Sequence, residues 1–147
     1  MKTKLIIVFT MIAMITISCN SDKKKNKDSL TNSITEKHWQ LKTLEGQEVT
    51  KADNLEREIF ITLNTDTNSI TGFTGCNTIS GEFILKEGNR IEFKKMLTTL
   101  KMCPDAAVNE SELLKIFEVA DNYTIKDNIL SLNVGRKAPL AVFEAIE

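Results

Sequence analysis

The chain has few of the residues that enzymes commonly use for catalysis and metal binding. It contains one histidine, one tryptophan, one tyrosine, two prolines and three cysteines in 147 residues. The motifs G-x-S-x-G and H-E-x-x-H and a complete P-loop are missing, and these carry acyl transfer, zinc proteolysis and nucleotide binding. The cysteines and the histidine do not supply a convincing four-ligand zinc site. We therefore predict no cofactor, no metal and no catalytic residue.

The chain also lacks an excess of charge of one sign. Its 19 basic residues fall to 17 when Lys2 and Lys4 are removed with the N-terminal segment, against 20 acidic residues, which leaves a formal charge of −3. A nucleic-acid-binding domain normally concentrates lysine and arginine on one face. We therefore predict no nucleic acid partner.

Only one long apolar run occurs in the sequence, at the N-terminus. Two lysines precede an apolar stretch from residue 5 to 17, which Ser18 and Cys19 follow. A basic start and an apolar centre shorter than the ~20 residues of a membrane span are typical of a signal peptide. The end "TISC" resembles the lipobox of bacterial lipoproteins, in which Cys19 becomes the lipidated first residue; an ordinary signal peptide is the alternative. We predict a lipoprotein signal peptide over residues 1–18 and a membrane anchor at Cys19.

The next segment, residues 19–36, is polar, rich in lysine and almost free of large apolar side chains. Such a composition is typical of a flexible tether. The remainder, residues 37–147, is long enough for one hydrophobic core and too short for two. We expect an exported protein of the bacterial cell envelope. The outer membrane is favoured, because Asn20 and not an aspartate follows Cys19.

The domain has the pattern of a small, mainly β protein. Short segments with apolar residues at alternate positions, separated by turn residues, predict seven or eight strands between residues 38 and 146. The segment 109–121 has helical spacing instead, with Leu113 and Phe117 on one face and Asn109 and Glu112 as a capping-box-like start. The predicted fold is a small antiparallel β-barrel, closed or incomplete, with one packed α-helix.

The two remaining cysteines are best explained as a structural pair. Cys76 lies in the glycine-rich stretch "GFTGCNTISGEF", and Cys103 lies downstream in "TTLKMCPDAA". An even number of cysteines in an exported, oxidising setting favours a disulfide. Two buried reduced thiols or a redox-active pair are the alternatives, and a thiol enzyme using Cys76 or Cys103 with His38 is the alternative function.

These two stretches, in this order, resemble the META domain, the HslJ-like lipoprotein family. The resemblance covers nearly all of residues 38–146 and includes the start "HWQLKTLEG". The positions that match the family motif, and that we expect to be structural, are Gly75, Asn77, Gly81, Met102, Pro104 and Glu112.

The resemblance implies a small exported β-barrel with a helix and no established enzymatic activity. Together with the predicted anchor, it leads us to expect an envelope lipoprotein that binds a partner protein or a small apolar ligand and supports tolerance of envelope stress. The interaction with the membrane is expected through the lipidated Cys19.

Overall fold

The computed structural model describes residues 33–49, 58–103 and 108–146. The predicted signal peptide, Cys19 and Pro104 lie outside these residues. The described chain forms nine strands and one helix: β1 (His38–Leu44), β2 (Gln47–Glu48), β3 (Phe60–Asn64), β4 (Ser69–Phe73), β5 (Thr78–Lys86), β6 (Arg90–Thr98), α1 (Glu110–Val119), β7 (Asn122–Lys126), β8 (Ile129–Asn133) and β9 (Ala141–Ile146).

Eight of these strands close into an antiparallel barrel, which confirms the predicted fold. From β3 to β9 each strand pairs with the next one in the sequence, and β1 pairs with both β3 and β9. The seam between β1 and β9 runs from the pair His38 and Ile146 to the pair Leu44 and Ala141. The two-residue strand β2 lies outside the ring and pairs with the end of β1.

Large apolar side chains fill the inside of the barrel. They come from alternate positions along the strands, as in β3, where Ile61 and Leu63 are buried and their neighbours are not. Trp39 and Phe143, on the two strands of the seam, are fully buried. Because successive side chains in a strand point to opposite faces, this alternation gives each strand one face toward the core.

The barrel has two ends that differ in what they carry. We call the lower end the one where β1 begins, and the upper end the one where β1 finishes. The described chain enters at the lower end, where Ile34 is buried (2% exposed) and its carbonyl accepts a hydrogen bond of 2.7 Å from the indole of Trp39. The backbone N–H of Glu36 also donates to Leu63, at 2.9 Å. The last residues of the predicted tether, 33–36, therefore contact the barrel.

The helix α1 lies alongside β6 and runs in the opposite direction. Its first residue, Glu110, accepts a hydrogen bond from Thr98 at the upper end of β6, and Phe117 packs edge-to-face on Phe93 at a ring distance of 5.1 Å. Next to this helix, β6 pairs with β7 at a single position, Arg90 with Asn122. The buried face of α1 thus covers the core where β6 and β7 separate.

The helix begins as the sequence predicts. The side chain of Asn109 accepts a hydrogen bond from the N–H of Ser111 at 3.1 Å, and it donates to the carboxylate of Glu112 at 3.2 Å. An asparagine at this position satisfies a backbone donor that the first turn leaves unpaired. Within the described residues, no helix has the length and apolar content needed to cross a membrane.

Candidate functional site

The predicted disulfide is formed, and it connects two segments at the upper end of the barrel. Cys76 and Cys103 are bonded, with their Cα atoms 5.9 Å apart, a separation within the usual range for disulfides. Cys76 lies in the loop between β4 and β5 and is 8% exposed, whereas Cys103 follows β6. The alternative of two reduced thiols is therefore wrong. The bond ties the chain after β6 to the loop that precedes β5.

Asn77 makes a second connection between the same two segments. Its Oδ1 accepts hydrogen bonds of 2.7 Å from the backbone N–H of Lys101 and from the hydroxyl of Thr99. Its Nδ2 donates to the carbonyl of Lys101 at 3.2 Å and to the carboxylate of Glu110 at 2.8 Å. Asn77 is buried, so these bonds replace its contacts with water. One side chain thereby joins the β4–β5 loop, the segment after β6 and the helix.

Glu110 is the acceptor at the other side of this network. One carboxylate oxygen accepts from the hydroxyl of Thr74 at 2.8 Å and from Asn77, and the other accepts from the hydroxyl of Thr98 at 3.1 Å. A carboxylate in the first turn also interacts favourably with the positive end of the helix dipole. We call Thr74, Asn77, Thr98, Thr99 and Glu110, together with the backbone of Lys101, the Asn77 cluster.

The loop before β5 owes its shape to Thr74 and Gly75. The backbone N–H of Thr74 donates to the carbonyl of Asn77 at 2.9 Å, and the hydroxyl of Thr74 accepts from the N–H of Asn77 at 2.9 Å. Gly75, inside this turn, has φ = +94°, a conformation that side chains with a Cβ rarely adopt. Gly75 therefore allows the turn that buries Cys76 and Asn77.

Gly81 has a different role, at a β-bulge in the pairing of β5 with β6. The register of the two strands shifts between Ser80 and Glu82, and Lys95 on the opposite strand has φ = +52°. A Cβ on Gly81 would lie 2.5 Å from the Sδ of Met96 and 3.0 Å from the carbonyl oxygen of Lys94. Glycine thus allows the close approach of β5 and β6 at this bulge, where a Cβ would force Met96 and the backbone of β6 to shift.

Three large apolar side chains are exposed at the upper end. They are Leu97, Leu100 and Met102, with 67%, 92% and 97% of their surface accessible. We call these three the apolar loop surface. Met102, expected from the family motif to be structural, is thus the most exposed of them and is not part of the core.

The exposure of Leu100 and Met102 follows from how the segment is attached. The N–H of Thr99 donates to Thr78 at 3.1 Å, the backbone of Lys101 is bonded twice to Asn77, and Cys103 is in the disulfide. Every second residue from 99 to 103 is therefore fixed to the barrel. The side chains of Leu100 and Met102, between these attachment points, lie in solvent.

A shallow depression lies between this segment and the start of α1. It has a volume of about 460 Å³, and its lining residues are Cys76, Asn77, Leu100, Lys101, Met102, Cys103, Val108, Asn109 and Glu110. The depression therefore combines one carboxylate, one lysine and two asparagines with the disulfide and three apolar side chains.

The residues that the alternative thiol enzyme requires do not form a nucleophile and base pair in this structure. Both candidate nucleophiles are in the disulfide. His38 stacks on the ring of Phe60 at a centroid distance of 4.0 Å. Within the described ranges, no three histidine, cysteine or acidic side chains are grouped closely enough to hold a metal ion.

Two carboxyl groups, one on β6 and one just after α1, have lowered pKa values. Hydrogen bonds from the N–H of Gly135 and the amide of Asn122, together with the Arg90 guanidinium, hold the pKa of Asp121 below its ordinary value. Hydrogen bonds from Lys86 and Lys94 likewise lower the pKa of Glu92. These carboxylates make ion pairs on the outside of the barrel.

The structure brings together Gly75, Asn77, Cys76 and Cys103 among the residues that the sequence singled out. Glu112, the helix glutamate selected from the family motif, is exposed and contacts Asn109. The glutamate that joins the Asn77 cluster is Glu110, which sequence analysis did not select. Its position directly after the helix cap was the one available indication, since carboxylates favour the first turn.

Comparisons with known proteins agree with this fold. The family model described as "META domain" matches residues 32–147. An NMR structure of a protein from Burkholderia xenovorans is 20% identical with a TM-score of 0.62, covering 77% of this chain and 83% of that one. A second NMR structure is 21% identical with a TM-score of 0.58, covering 74% and 87%.

The crystal structure of a DUF4847 family protein from Bacteroides vulgatus is 15% identical with a TM-score of 0.50, covering 76% of this chain and 93% of that one. At such low identity these likenesses concern the fold alone. A search of curated proteins finds no match. The family match extends over most of the chain and includes both motifs around the disulfide, and the chain therefore belongs to the META domain family.

Proposed function

We propose that the protein is a lipoprotein of the bacterial cell envelope whose META barrel is a non-enzymatic binding domain, with a partner protein or an apolar ligand as its target and a role in tolerance of envelope stress. The observation that carries this proposal is the apolar loop surface, which the disulfide and Asn77 fix at the upper end. Leu100 and Met102 line the same depression, and exposed apolar side chains that lie together are typical of interaction sites.

The packing inside the barrel supports binding on its outer surface. An eight-stranded barrel is just wide enough either to be filled by side chains or to hold one small ligand. Here Trp39, Phe143 and the helix residue Phe117 are buried in the interior together with the strand leucines and isoleucines. A ligand or partner is therefore expected at the upper end and not within the barrel.

The state of the thiols supports a non-enzymatic role. A catalytic cysteine acts as a thiolate in a partly exposed position, whereas Cys76 is bonded and buried. The folded, oxidised protein should not react with iodoacetamide at Cys76 or Cys103 until reductant and denaturant are added. Labelling of the untreated protein at either position would support the thiol enzyme instead.

Replacement of the predicted anchor tests the lipoprotein part of the proposal. The Cys19→Ala variant should lose incorporation of labelled palmitate and should leave the membrane fraction, because stable anchoring requires the acyl chains. Cys76→Ser is the control, since it removes a cysteine from the domain and should leave acylation unchanged. Continued acylation of the Cys19→Ala variant would contradict the anchor.

Crosslinking in cells tests the binding part. A photo-crosslinking side chain at position 102 should yield a defined adduct, whereas the same group at position 85, on the lower half of β5, should not. Leu85 is the matched control because it is also a partly exposed apolar residue. Equal yields at the two positions would contradict a binding surface at the upper end.

A further inference from the structure

We propose that the apolar loop surface docks on an anionic lipid bilayer, so that Leu100 and Met102 enter the region below the headgroups. This inference rests on the proposed membrane anchor and specifies the apolar ligand as the membrane itself. It follows from the size of the surface, from the charges beside it and from the length of the chain that precedes the barrel.

The size of the surface fits a membrane better than a partner protein. Stable protein interfaces involve ~20–30 residues on each side. Here the exposed apolar surface consists of three side chains, and Leu100 and Met102 are more than nine-tenths exposed. Three protruding side chains are far fewer than the number of residues in a stable protein interface. They can enter lipid one by one, since each buried methylene contributes separately.

The charges around the surface fit anionic headgroups. The stretch from residue 94 to 102 contains three lysines, Lys94, Lys95 and Lys101, and no acidic residue. The carboxylate of Glu110 lies beside it, in the depression that Leu100 and Met102 line, and accepts three hydrogen bonds from the Asn77 cluster. Lys101 lies directly between Leu100 and Met102 and is itself exposed. Lys94 and Lys95 pair with Glu92 and Glu82 on the surface, and such exposed pairs are weak enough to be exchanged for lipid phosphates. Lysines beside apolar side chains are the usual composition of membrane-surface segments.

The rigid attachment of the segment favours insertion. Thr99, Lys101 and Cys103 are each bonded to the barrel, so Leu100 and Met102 remain exposed without an ordering step at the membrane. A pre-organised surface loses less conformational entropy on binding. The disulfide and the Asn77 cluster thus have a function in presenting these two side chains.

The length of chain before the barrel allows the upper end to reach the bilayer. The described chain starts at Ser33 at the lower end, and thirteen residues, 20–32, separate it from Cys19. The fourteen Cα–Cα steps from Cys19 to Ser33 extend to at most about 50 Å, whereas the nine residues of β6 span about 30 Å. The chain is therefore longer than the barrel. A barrel anchored at Cys19 can turn its upper end to the same membrane, at a high effective concentration.

The experiment uses the unacylated chain, residues 20–147, with the disulfide formed, so that the anchor does not contribute. The core of the barrel lies within residues 34–143, and the chain used contains all of it. The protein is mixed with vesicles of phosphatidylethanolamine and phosphatidylglycerol, or with vesicles of phosphatidylcholine, and the floating fraction is measured. We expect at least tenfold stronger binding to the anionic vesicles. The Leu100→Ser/Met102→Ser variant should lose at least tenfold of that binding.

The matched control is Ile84→Ser/Leu85→Ser, which removes two partly exposed apolar side chains from β5 and should bind as the unchanged protein does. In a second measurement, the fluorescence of a Met102→Trp variant should shift to the blue on anionic vesicles, whereas that of Leu85→Trp should not. Vesicle binding without acylation of Cys19 in cells would leave the docking inference standing and remove the anchor. Acylation of Cys19 without vesicle binding would overturn the inference alone.

Two further outcomes would overturn the inference. One is equal loss of binding in the Leu100→Ser/Met102→Ser variant and in the β5 control. The other is a protein that does not bind vesicles but forms a concentration-dependent dimer, which the Leu100→Ser/Met102→Ser variant does not form. In that case the surface would contact a second copy of the chain.

Discussion

The side-chain amide of Asn77 pairs with both backbone groups of Lys101. Its Oδ1 accepts from the N–H at 2.7 Å, and its Nδ2 donates to the carbonyl at 3.2 Å. The amide thus takes the place that a neighbouring strand would have, just after β6 ends at Thr98. This pairing, together with the disulfide two residues later, holds the segment after β6 on the barrel beyond the end of its sheet.

We expect the change Asn77→Ala to lower the free energy of unfolding by about 2 to 4 kcal/mol, because it leaves buried partners without hydrogen bonds. Chemical denaturation of the oxidised protein measures this change. Thr71→Ala, at an exposed position of β4, is the control and should stay within about 0.5 kcal/mol of the unchanged protein. A loss no larger than that of the control would show that Asn77 does not stabilise the fold.

The two glutamates in the first turn of α1 provide a matched pair. Glu110→Ala removes the acceptor for Thr74, Asn77 and Thr98, and should cost about 1 to 3 kcal/mol of stability. Glu112→Ala removes an exposed carboxylate on the same turn and should cost under about 1 kcal/mol. Thermal unfolding of the two variants side by side measures the difference, and an equal or larger loss in Glu112→Ala would contradict the assignment of Glu110 to the cluster.

Removal of the disulfide should lower the stability under oxidising conditions and not in the presence of reductant. The Cys76→Ser/Cys103→Ser variant lacks the closure of the 27-residue separation, which contributes about 3 to 4 kcal/mol in the chain-entropy account. The melting temperature should therefore fall markedly without reductant. In the presence of reductant the variant and the unchanged protein should melt at similar temperatures. A loss of the same size in both conditions would indicate packing of the sulfur atoms and not the bond.

Gly81→Ala should destabilise the pairing of β5 with β6 by about 1 to 3 kcal/mol, because the new Cβ would overlap the side chain of Met96 and approach the backbone of Lys94. The contact with Met96 involves the end of a flexible side chain. The double change Gly81→Ala/Met96→Ala should therefore recover part of the loss relative to Met96→Ala alone. Urea denaturation of the four proteins measures this, and full additivity would show that Met96 is not the obstacle.

Asp121 should contribute a pH-dependent part of the stability. Its pKa is lowered in the folded protein by hydrogen bonds from Gly135 and Asn122 and by Arg90. A lowered carboxyl pKa stabilises the fold above the unfolded value near pH 4, and this stabilisation is lost as the pH falls through the folded pKa. Asp121→Asn should therefore be less stable than the unchanged protein at pH 7, and the difference should shrink at acid pH. A difference that is constant from pH 7 to pH 3 would contradict this.

The sequence was sufficient to predict the elements that have a local pattern. The strand from His38 to Leu44, the hairpins and the helix start at Asn109 follow from alternation, turn residues and capping. The disulfide followed from the number of cysteines and the expected compartment. These features can be predicted from residues that are close in the sequence or from the number of cysteines. Their prediction does not require knowledge of which distant segments meet in the fold.

The arrangement at the upper end could not be predicted in the same way. Asn77 meets Lys101 and Glu110 across 24 and 33 positions of the chain, and no periodic pattern records such contacts. Met102 was expected to be structural because it matches the family motif, but its side chain lies in solvent between the attached residues Lys101 and Cys103. Ile34 lies in a polar stretch that was assigned to the tether, yet it covers the lower end beside Trp39.

The pairing of β1 with β9 has a consequence for the order of folding. The seam joins the first strand of the ring to the last, so His38 can pair with Ile146 only after the chain up to residue 146 is available. Pairing between strands that are distant in the sequence slows folding, because the entropy of closing a long loop is lost before the stabilising contacts form. A chain shortened before Ala141 would lack the strand that pairs with β1 beside Trp39 and Leu41. The sheet would then be open at β1, and this edge would be accessible to proteases and chaperones.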